Sequence, residues 1–372
     1  MRIMHVIDSL EIGGAERMLV DLANAAASDG HEVSVCATRG AGALARELHP
    51  DIRLWALGRS RRLDIRAMRR FASLVTANCV EVLHAHGRST FSLLVVARTL
   101  GLVRRPIVFH DHFGSIELDA SVPLWFRVWG RRFAAQYVAV SSQLLEWAKN
   151  AGVPEERRSL IENALDLRRL LHAEARDVRE ELRIPAEIPI GIVVGGIRHE
   201  KGVDVLLEAL AMSAFRAAVK VLIVGGDRDS AYLQKCKAQR SELKLEDSVL
   251  FLGERNDAAG LMKCADFALV PSRSESGPLV LIEYLANGLP FVATRVGAIS
   301  ERLAQLRVPE FVDPGDPKAL AEAMDRLLQL DKELRLERGS IGREIAIGHF
   351  DVTSTMQRWY EVYGLALGRG LA

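Results

Sequence analysis

IGIVVGGIRHEKGVDVLLEAL, residues 190–210, changes structural character twice within a few positions. IGIVV is a short apolar run rich in β-branched residues and closed by Gly195-Gly196, so it reads as a buried strand. After a polar loop, VDVLLEAL has the apolar spacing of a helix. AVKVLIVGG, residues 218–226, then repeats the strand and its paired glycines. Continuous apolar strands separated by a helix form the repeating unit of a parallel sheet with helices on its faces.

The same alternation runs outward in both directions. Upstream, RIMHVI, EVSVCA, IRLWAL, VEVLHAH, PIVFH and YVAV read as strands, with AERMLVDLANAAASDG and DIRAMRRFASLVTANC as helices between them. Downstream come SVLFLGE, DFALVPS, LPFVAT and PEFVD. From about Asn163 to Ile188 the chain is charged and carries no strand signal, which divides the pattern into halves. At 372 residues the chain also exceeds the size at which one core stops growing. The expectation is an α/β protein of two Rossmann-like, doubly wound parallel-sheet domains. Ligands of such sheets bind beyond the carboxyl ends of the strands, so two of them facing each other would enclose an interdomain cleft.

Bulk composition excludes several classes. With 49% hydrophobic and 26% charged residues the chain is an ordinary globular protein. No apolar run approaches the ~20 residues of a membrane span. The amino terminus, MRIMHVIDSL, is interrupted by Asp8 and is too short in its apolar part for a signal peptide, so a cytoplasmic location is expected. Cys36, Cys79, Cys236 and Cys264 have no metal-ligand spacing and are expected as buried, reduced thiols. Residues 1–168 hold 22 Lys+Arg against 18 Asp+Glu, and seven of the ten histidines. GRSRRLDIRAMRR places six arginines between Arg59 and Arg70, a solvated face or an attraction to anionic head groups. No nucleic-acid module accompanies them.

The chemistry-bearing residues cluster just after strands. In the 190–210 stretch, Arg198 and Lys201 stand three apart before a helix opening near Gly202. Cations at a helix entrance oppose its dipole unless an anion sits between them, and a pyrophosphate beside Gly196 would satisfy both. SRSESGPLVLIEYLANGLP, residues 272–290, sets Glu275 in a loop and Glu283 one turn inside the next helix. Pro278 fits its first turn, and Gly288 with Pro290 fits its stop. Paired glycines at Gly13-Gly14, and glycines at Gly225 and Gly253 with Arg255 nearby, either admit a ligand or make tight turns. IGGAER lacks the GxGxxG of a dinucleotide fold, which disfavours a dehydrogenase. HAHG and VFHDHFG end two strands in His84, His86, His110 and His112; as metal ligands these pairs are weak signals without a partnering motif. A diphosphate gripped by two cations, with two carboxylates for hydroxyl groups, suits a nucleotide-sugar.

Together IGGAER, FHD, NALD, GGIRHEKGVDVLLEAL and PSRSESGPLVLIEYLANGLPFVATRVGAISE resemble the retaining Glu-x7-Glu glycosyltransferases of the GT-B fold, of the group 1 or family 4 type, over nearly the whole chain. The resemblance implies an amino-terminal acceptor-side domain (1–168), a donor domain (169–348) and a carboxy-terminal helix (349–372) that crosses back to the first domain. It implies that Glu283 binds the donor ribose, that Arg198 and Lys201 bind its diphosphate, and that Glu275 faces the sugar beside Gly277, Pro278 and Leu279. Gly14, next to Gly13, would approach the phosphate. His110 would touch the sugar, with its carbonyl near the anomeric carbon. Two positions depart from the family pattern: Pro278 where Gly is frequent, and Ala164 within NALD.

The resulting expectation is transfer of a sugar, with retention, from a nucleoside diphosphate to a hydroxyl acceptor such as a glycan, a lipid-linked saccharide or a small molecule. A UDP-sugar is the first expectation for the donor and GDP-mannose the second. No cofactor and no metal are required, because cations and helix amides would stabilise the leaving diphosphate. The alternatives are a nucleotide-sugar epimerase of the same shape and a non-catalytic sugar-nucleotide binding protein. SVPLWFRVWGRRF, residues 121–133, mixes aromatics with arginines and is either core or a patch resting on the inner face of a membrane.

Overall fold

A computed structural model of the chain describes residues 1–61, 63–116, 118–304 and 310–369. Arg62 of the arginine run and Pro309 of the last strand expectation lie outside the described residues. The chain forms two compact units, Met1–Leu165 with Val352–Ala372, and Asp166–Asp351.

The first unit is built on strands β1 (Arg2–Ser9), β2 (Glu32–Gly40), β3 (Arg53–Ala56), β4 (Val82–His86), β5 (Ile107–Asp111), β6 (Ala134–Ala139) and β7 (Arg158–Leu160). They lie side by side in the order β3-β2-β1-β4-β5-β6-β7, and every pairing is parallel. The reversal of order next to β1 is the signature of a doubly wound sheet. Only β7, a three-residue strand beginning at a charged Arg158, escapes the sequence pattern.

Apolar residues cover both faces of this sheet. One face gathers Phe71, Phe91, Phe109, Phe126 and Tyr137; the other gathers Val20, Val35, Val108 and Val138. The helix Met356–Ala366 belongs to the second of these clusters through Trp359 and Tyr363, both fully buried. Its amphipathic pattern thus finds a specific seat in the first unit.

In the second unit β8 (Ile190–Val194), β9 (Lys220–Val224), β10 (Val249–Gly253), β11 (Phe267–Val270), β12 (Phe291–Thr294) and β13 (Glu310–Val312) match the six expected strands. Their order is β10-β9-β8-β11-β12-β13, again all parallel. The core joins Val203, Leu206 and Leu210 of the helix Val203–Met212 to Val221 and Ile223 of β9 and to Met324 and Leu327 of the helix Pro317–Gln329.

The structure corrects the cysteine expectation. Cys36 and Cys236 are buried, but Cys264 is half-buried and Cys79 is exposed. Cys79 occupies a left-handed turn (φ 49°) after the helix Ile65–Ala77, where the apolar pattern has already ended. The arginine run also divides. Arg59 is buried and its Nη2 donates to Asp8 Oδ1 at 2.7 Å, whereas Arg61, Arg66, Arg69 and Arg70 face solvent. Among the described residues no helix is long and apolar enough to cross a membrane.

Candidate active site

In the second sheet the order reverses between β8 and β11, which are adjacent. The crevice beyond their carboxyl ends is the switch point at which open α/β sheets bind ligands. Two loops rise there. One follows β8 and carries Gly195 to Lys201; the other follows β11 and runs from Pro271 to Pro278. They meet around a small pocket bordered by Gly195, Lys201, Pro271 and Ser272.

Several contacts lock the loops to each other. Gly202 has φ 64°, and a Cβ there would lie 2.0 Å from the Pro271 carbonyl oxygen, so only glycine permits this approach. The Arg273 amide donates to Glu200 O at 2.7 Å. Its guanidinium forks onto the Asp204 carboxylate at 2.6 and 3.1 Å. Burial pushes the Asp204 carboxyl up, but hydrogen bonds from Arg273 and Tyr232 outweigh it and bring it down to about 2. From the far side, Thr294 Oγ1 donates to Ser272 O at 2.6 Å. Gly297, at φ 74°, leaves room for Glu275 O and Pro278 Cδ, each 3.0 Å from where its Cβ would be.

The charged residues are placed by this frame. Lys201 Nζ lies 2.5 Å from Glu275 Oε1, which also accepts from Ser272 Oγ at 3.0 Å. Arg198 Nε lies 3.7 Å from Glu200 Oε2, on a half-exposed side chain. The helix Leu279–Ala286 starts one residue later than expected, with Pro278 as its N-cap. It ends in a Schellman turn, Gly288 N to Leu285 O at 2.8 Å and Leu289 N to Tyr284 O at 2.9 Å. Tyr284 fixes the helix to β8, its hydroxyl accepting from Val194 N at 2.9 Å. Glu283 is the fifth residue of the helix, and its Oε1 lies 3.5 Å from Arg169 Nη2. Each glutamate of the pair therefore faces a cation within its own unit.

The remaining sequence candidates fall into place differently. Gly277 is in the loop, and Leu279 is the first helical residue. Gly225 serves packing, since its Cβ would fall 1.9 Å from Gly195 O. Beside it, a Cβ on Gly196 would press on Arg228 Cγ at 2.7 Å. Gly253 turns at φ 70° into open space. Arg255 is committed to Glu181 at 2.7 Å and to Asp257 at 2.8 Å.

In the first unit Gly13 is the N-cap of the helix Gly14–Ser28. His110, one residue before the end of β5, is fully buried, and its carbonyl accepts from Gly87 N at 2.9 Å. Its imidazole packs against His84, His86, His112 and Trp359. Burial holds His5 down to about 3, and His84, His86 and His110 well below the ordinary histidine range.

The chain matches the family model of glycosyl transferases group 1 over residues 174–344, and that of glycosyltransferase family 4 over residues 12–169. Together the two matches span most of the chain, which is a glycosyltransferase. It is similar to N-acetyl-alpha-D-glucosaminyl L-malate synthase of Bacillus anthracis, 25% identical over 95% of this chain and 94% of that protein. It is also similar to D-inositol 3-phosphate glycosyltransferase of Corynebacterium urealyticum, 34% identical over 42% of this chain and 39% of that protein. Among solved structures, Anabaena Alr3699/HepE in complex with UDP-glucose superposes with a TM-score of 0.81 at 22% identity, over 97% of this chain and 98% of that one. Sucrose-phosphate synthase from Thermosynechococcus elongatus gives 0.80 at 20% identity, over 98% of each. The shared architecture is the GT-B fold.

Glycosyltransferase membership sets aside the epimerase and the silent binding protein. Sequence reasoning missed Arg169, Arg273, Asp204 and Thr294. Arg169 follows the NALD motif by three residues, the one signal that could have found it.

Two predictions follow from the geometry of these sites. Gly202→Ala should lower the stability of the second unit by about 1–3 kcal/mol and kcat/KM by at least about tenfold, because the cation loop must shift. Gly315→Ala, at φ 79° with nothing within 4 Å of its would-be Cβ, should share only the stability cost, as urea titration and kinetics will show. The second concerns acid. Below the ordinary pKa of ~6.5, the unfolded chain takes up protons that the buried histidines refuse, so stability falls with pH. The expected slope is up to about 1.4 kcal/mol per pH unit for each such histidine. Urea midpoints that stay level from neutrality to mild acid would show that these side chains titrate normally.

Proposed function

We propose that the enzyme transfers a sugar, with retention, from a nucleoside diphosphate to a hydroxyl acceptor. The reading rests on one observation: Lys201 and Glu275, 2.5 Å apart, sit at the switch point of the donor-type sheet and at the entrance of the helix that carries Glu283. In this reading Lys201 and Arg198 take the diphosphate, whose charge rises as its bond to the anomeric carbon breaks. The amino end of the helix Leu279–Ala286 adds its partial positive charge. Glu275 accepts from sugar hydroxyls, and Glu283, oriented by Arg169, accepts from the ribose diol. The acceptor oxygen then bonds to the anomeric carbon on the face that the diphosphate leaves, and its proton passes to the departing phosphate oxygen. The cations and amides carry the charge without calling on a divalent ion.

A UDP-sugar is the preferred donor, with GDP-mannose second. UDP-glucose occupies the similarly folded HepE, and the name of the Bacillus anthracis relative specifies an α-linked sugar on a small hydroxy acid. An α product from an α donor is retention. The acceptor here is proposed as a hydroxyl compound of the same breadth: small molecule, glycan or lipid-linked saccharide.

A lipid-linked acceptor has its own support in the first unit. Within SVPLWFRVWGRRF the structure buries Phe126 but leaves Leu124, Val128 and Trp129 exposed at 74%, 45% and 54%. Exposed apolar side chains among Arg127, Arg131 and Arg132 form a surface suited to anionic lipid.

Arg198→Ala and Lys201→Ala should each reduce kcat by about 10²–10³, the scale of a lost oxyanion donor. Unchanged turnover in both would remove the diphosphate assignment, and an inverted anomer by NMR would remove retention. Sedimentation with anionic vesicles should fall in Leu124→Ser/Trp129→Ser. Equal sedimentation of variant and wild type would dismiss the membrane contact.

A further inference from the structure

HAHG and VFHDHFG, weak signals apart, become one feature in the folded chain. Strands β4 and β5 are parallel and in a register that pairs His86 with His110, while β1 and β4 pair His5 with His84. The two-residue period of a strand then sends His84 and His86 to one face. His5, His84, His86 and His110 are all buried. The imidazoles crowd together: His84 stacks on His86 at 4.1 Å, and His110 lies tilted by 46° against His112 at 3.8 Å between ring centroids.

Their hydrogen bonding is incomplete. His86 Nε2 lies 3.0 Å from His5 Nδ1, and His86 Nδ1 lies 3.3 Å from His112 Nε2. Both ring nitrogens of His110 are buried with no hydrogen-bond partner. A neutral imidazole always has one donor and one acceptor, and a group buried with neither used asks for a ligand. The ligand nitrogens of His86, His110 and His112 all lie within 4.8 Å of one another. In a tetrahedral site with metal–nitrogen bonds of about 2.0–2.1 Å, ligand nitrogens stand roughly 3.3–3.4 Å apart, so the 3.3 Å between His86 and His112 already has that spacing.

We propose that His86, His110 and His112 form a binding site for a divalent transition-metal ion of the zinc, cobalt and nickel class. Three neutral imidazoles select such ions over magnesium or calcium, which prefer oxygen. The neighbouring carboxylate does not compete for the ion. Asp111 is held by Tyr137 Oη at 2.9 Å, by Arg88 Nε at 3.1 Å and by the Phe113 amide at 3.1 Å. His112 is only half-buried, which gives the ion a route in and leaves a fourth position for water or an anion. All three residues belong to the first unit.

The test uses the full chain without a polyhistidine tag, stripped by chelator and titrated with Co²⁺. One equivalent should bind with the visible d–d absorption of a tetrahedral, nitrogen-ligated ion and be displaced by Zn²⁺. His112→Gln should lose this absorption, whereas His199→Gln, in the second unit, should keep it. Since core variants can misfold, NMR of isotope-labelled histidine with bound cadmium provides a second reading on the wild type and should show three coupled imidazoles. Absence of the absorption in the wild type, its persistence in folded His112→Gln, or cadmium coupling to any other set of histidines overturns the site.

Discussion

The contact between Gly202 and the Pro271 carbonyl is the constraint on which the candidate site depends. A loop of cations and a loop carrying a carboxylate cannot be drawn together by their charges alone, because exposed ion pairs hold little energy. Here the backbone closes first. A glycine in the left-handed region brings the two chains into van der Waals contact, and the Arg273–Asp204 fork fastens the joint where solvent is excluded. Lys201 and Glu275 then meet because their backbones have no other course. The short distance between them is a product of the frame and does not create it.

The same logic explains why the helix Leu279–Ala286 makes a precise platform although it is only two turns long. Isolated helices of that length are unstable. This one is stopped by a Schellman turn, tied to β8 by the Tyr284 hydroxyl, and buried along Leu281, Ile282 and Leu285. Its fifth residue, Glu283, is thereby presented at a fixed height above the sheet beside Arg169.

Much of this was legible in the sequence, and the boundary of legibility is physical. Twelve of the thirteen strands among the described residues announce themselves as short apolar runs, most of them because parallel strands are buried on both faces. β7 fails that test: Arg158 and Ser159 break the apolar run, and none of its three residues is fully buried. Arg198, Lys201, Glu275 and Glu283 could be singled out because they lie in loops, or one turn inside a helix, beside glycine and proline. Arg273 and Asp204 could not, since each takes its role from a partner 69 positions away, and Arg169, over 100 positions from Glu283, is marked only by its place three residues after NALD. Gly225 had two readings in the sequence, and only the 1.9 Å approach to Gly195 O gives it a packing role. The histidines of β4 and β5 likewise acquire meaning only from strand register.

The chain leaves the first unit after Leu165 and returns to it at Val352. At that junction the Val352 amide donates to the Leu165 carbonyl at 2.8 Å, and on the other side Asp351 Oδ2 accepts from the Leu167 amide at 3.4 Å. Topologically the second unit is a guest: one long insertion whose two ends are neighbours. Residues 165 and 352 already touch, so the first unit needs no long linker to close across the insertion, and it keeps its final helix.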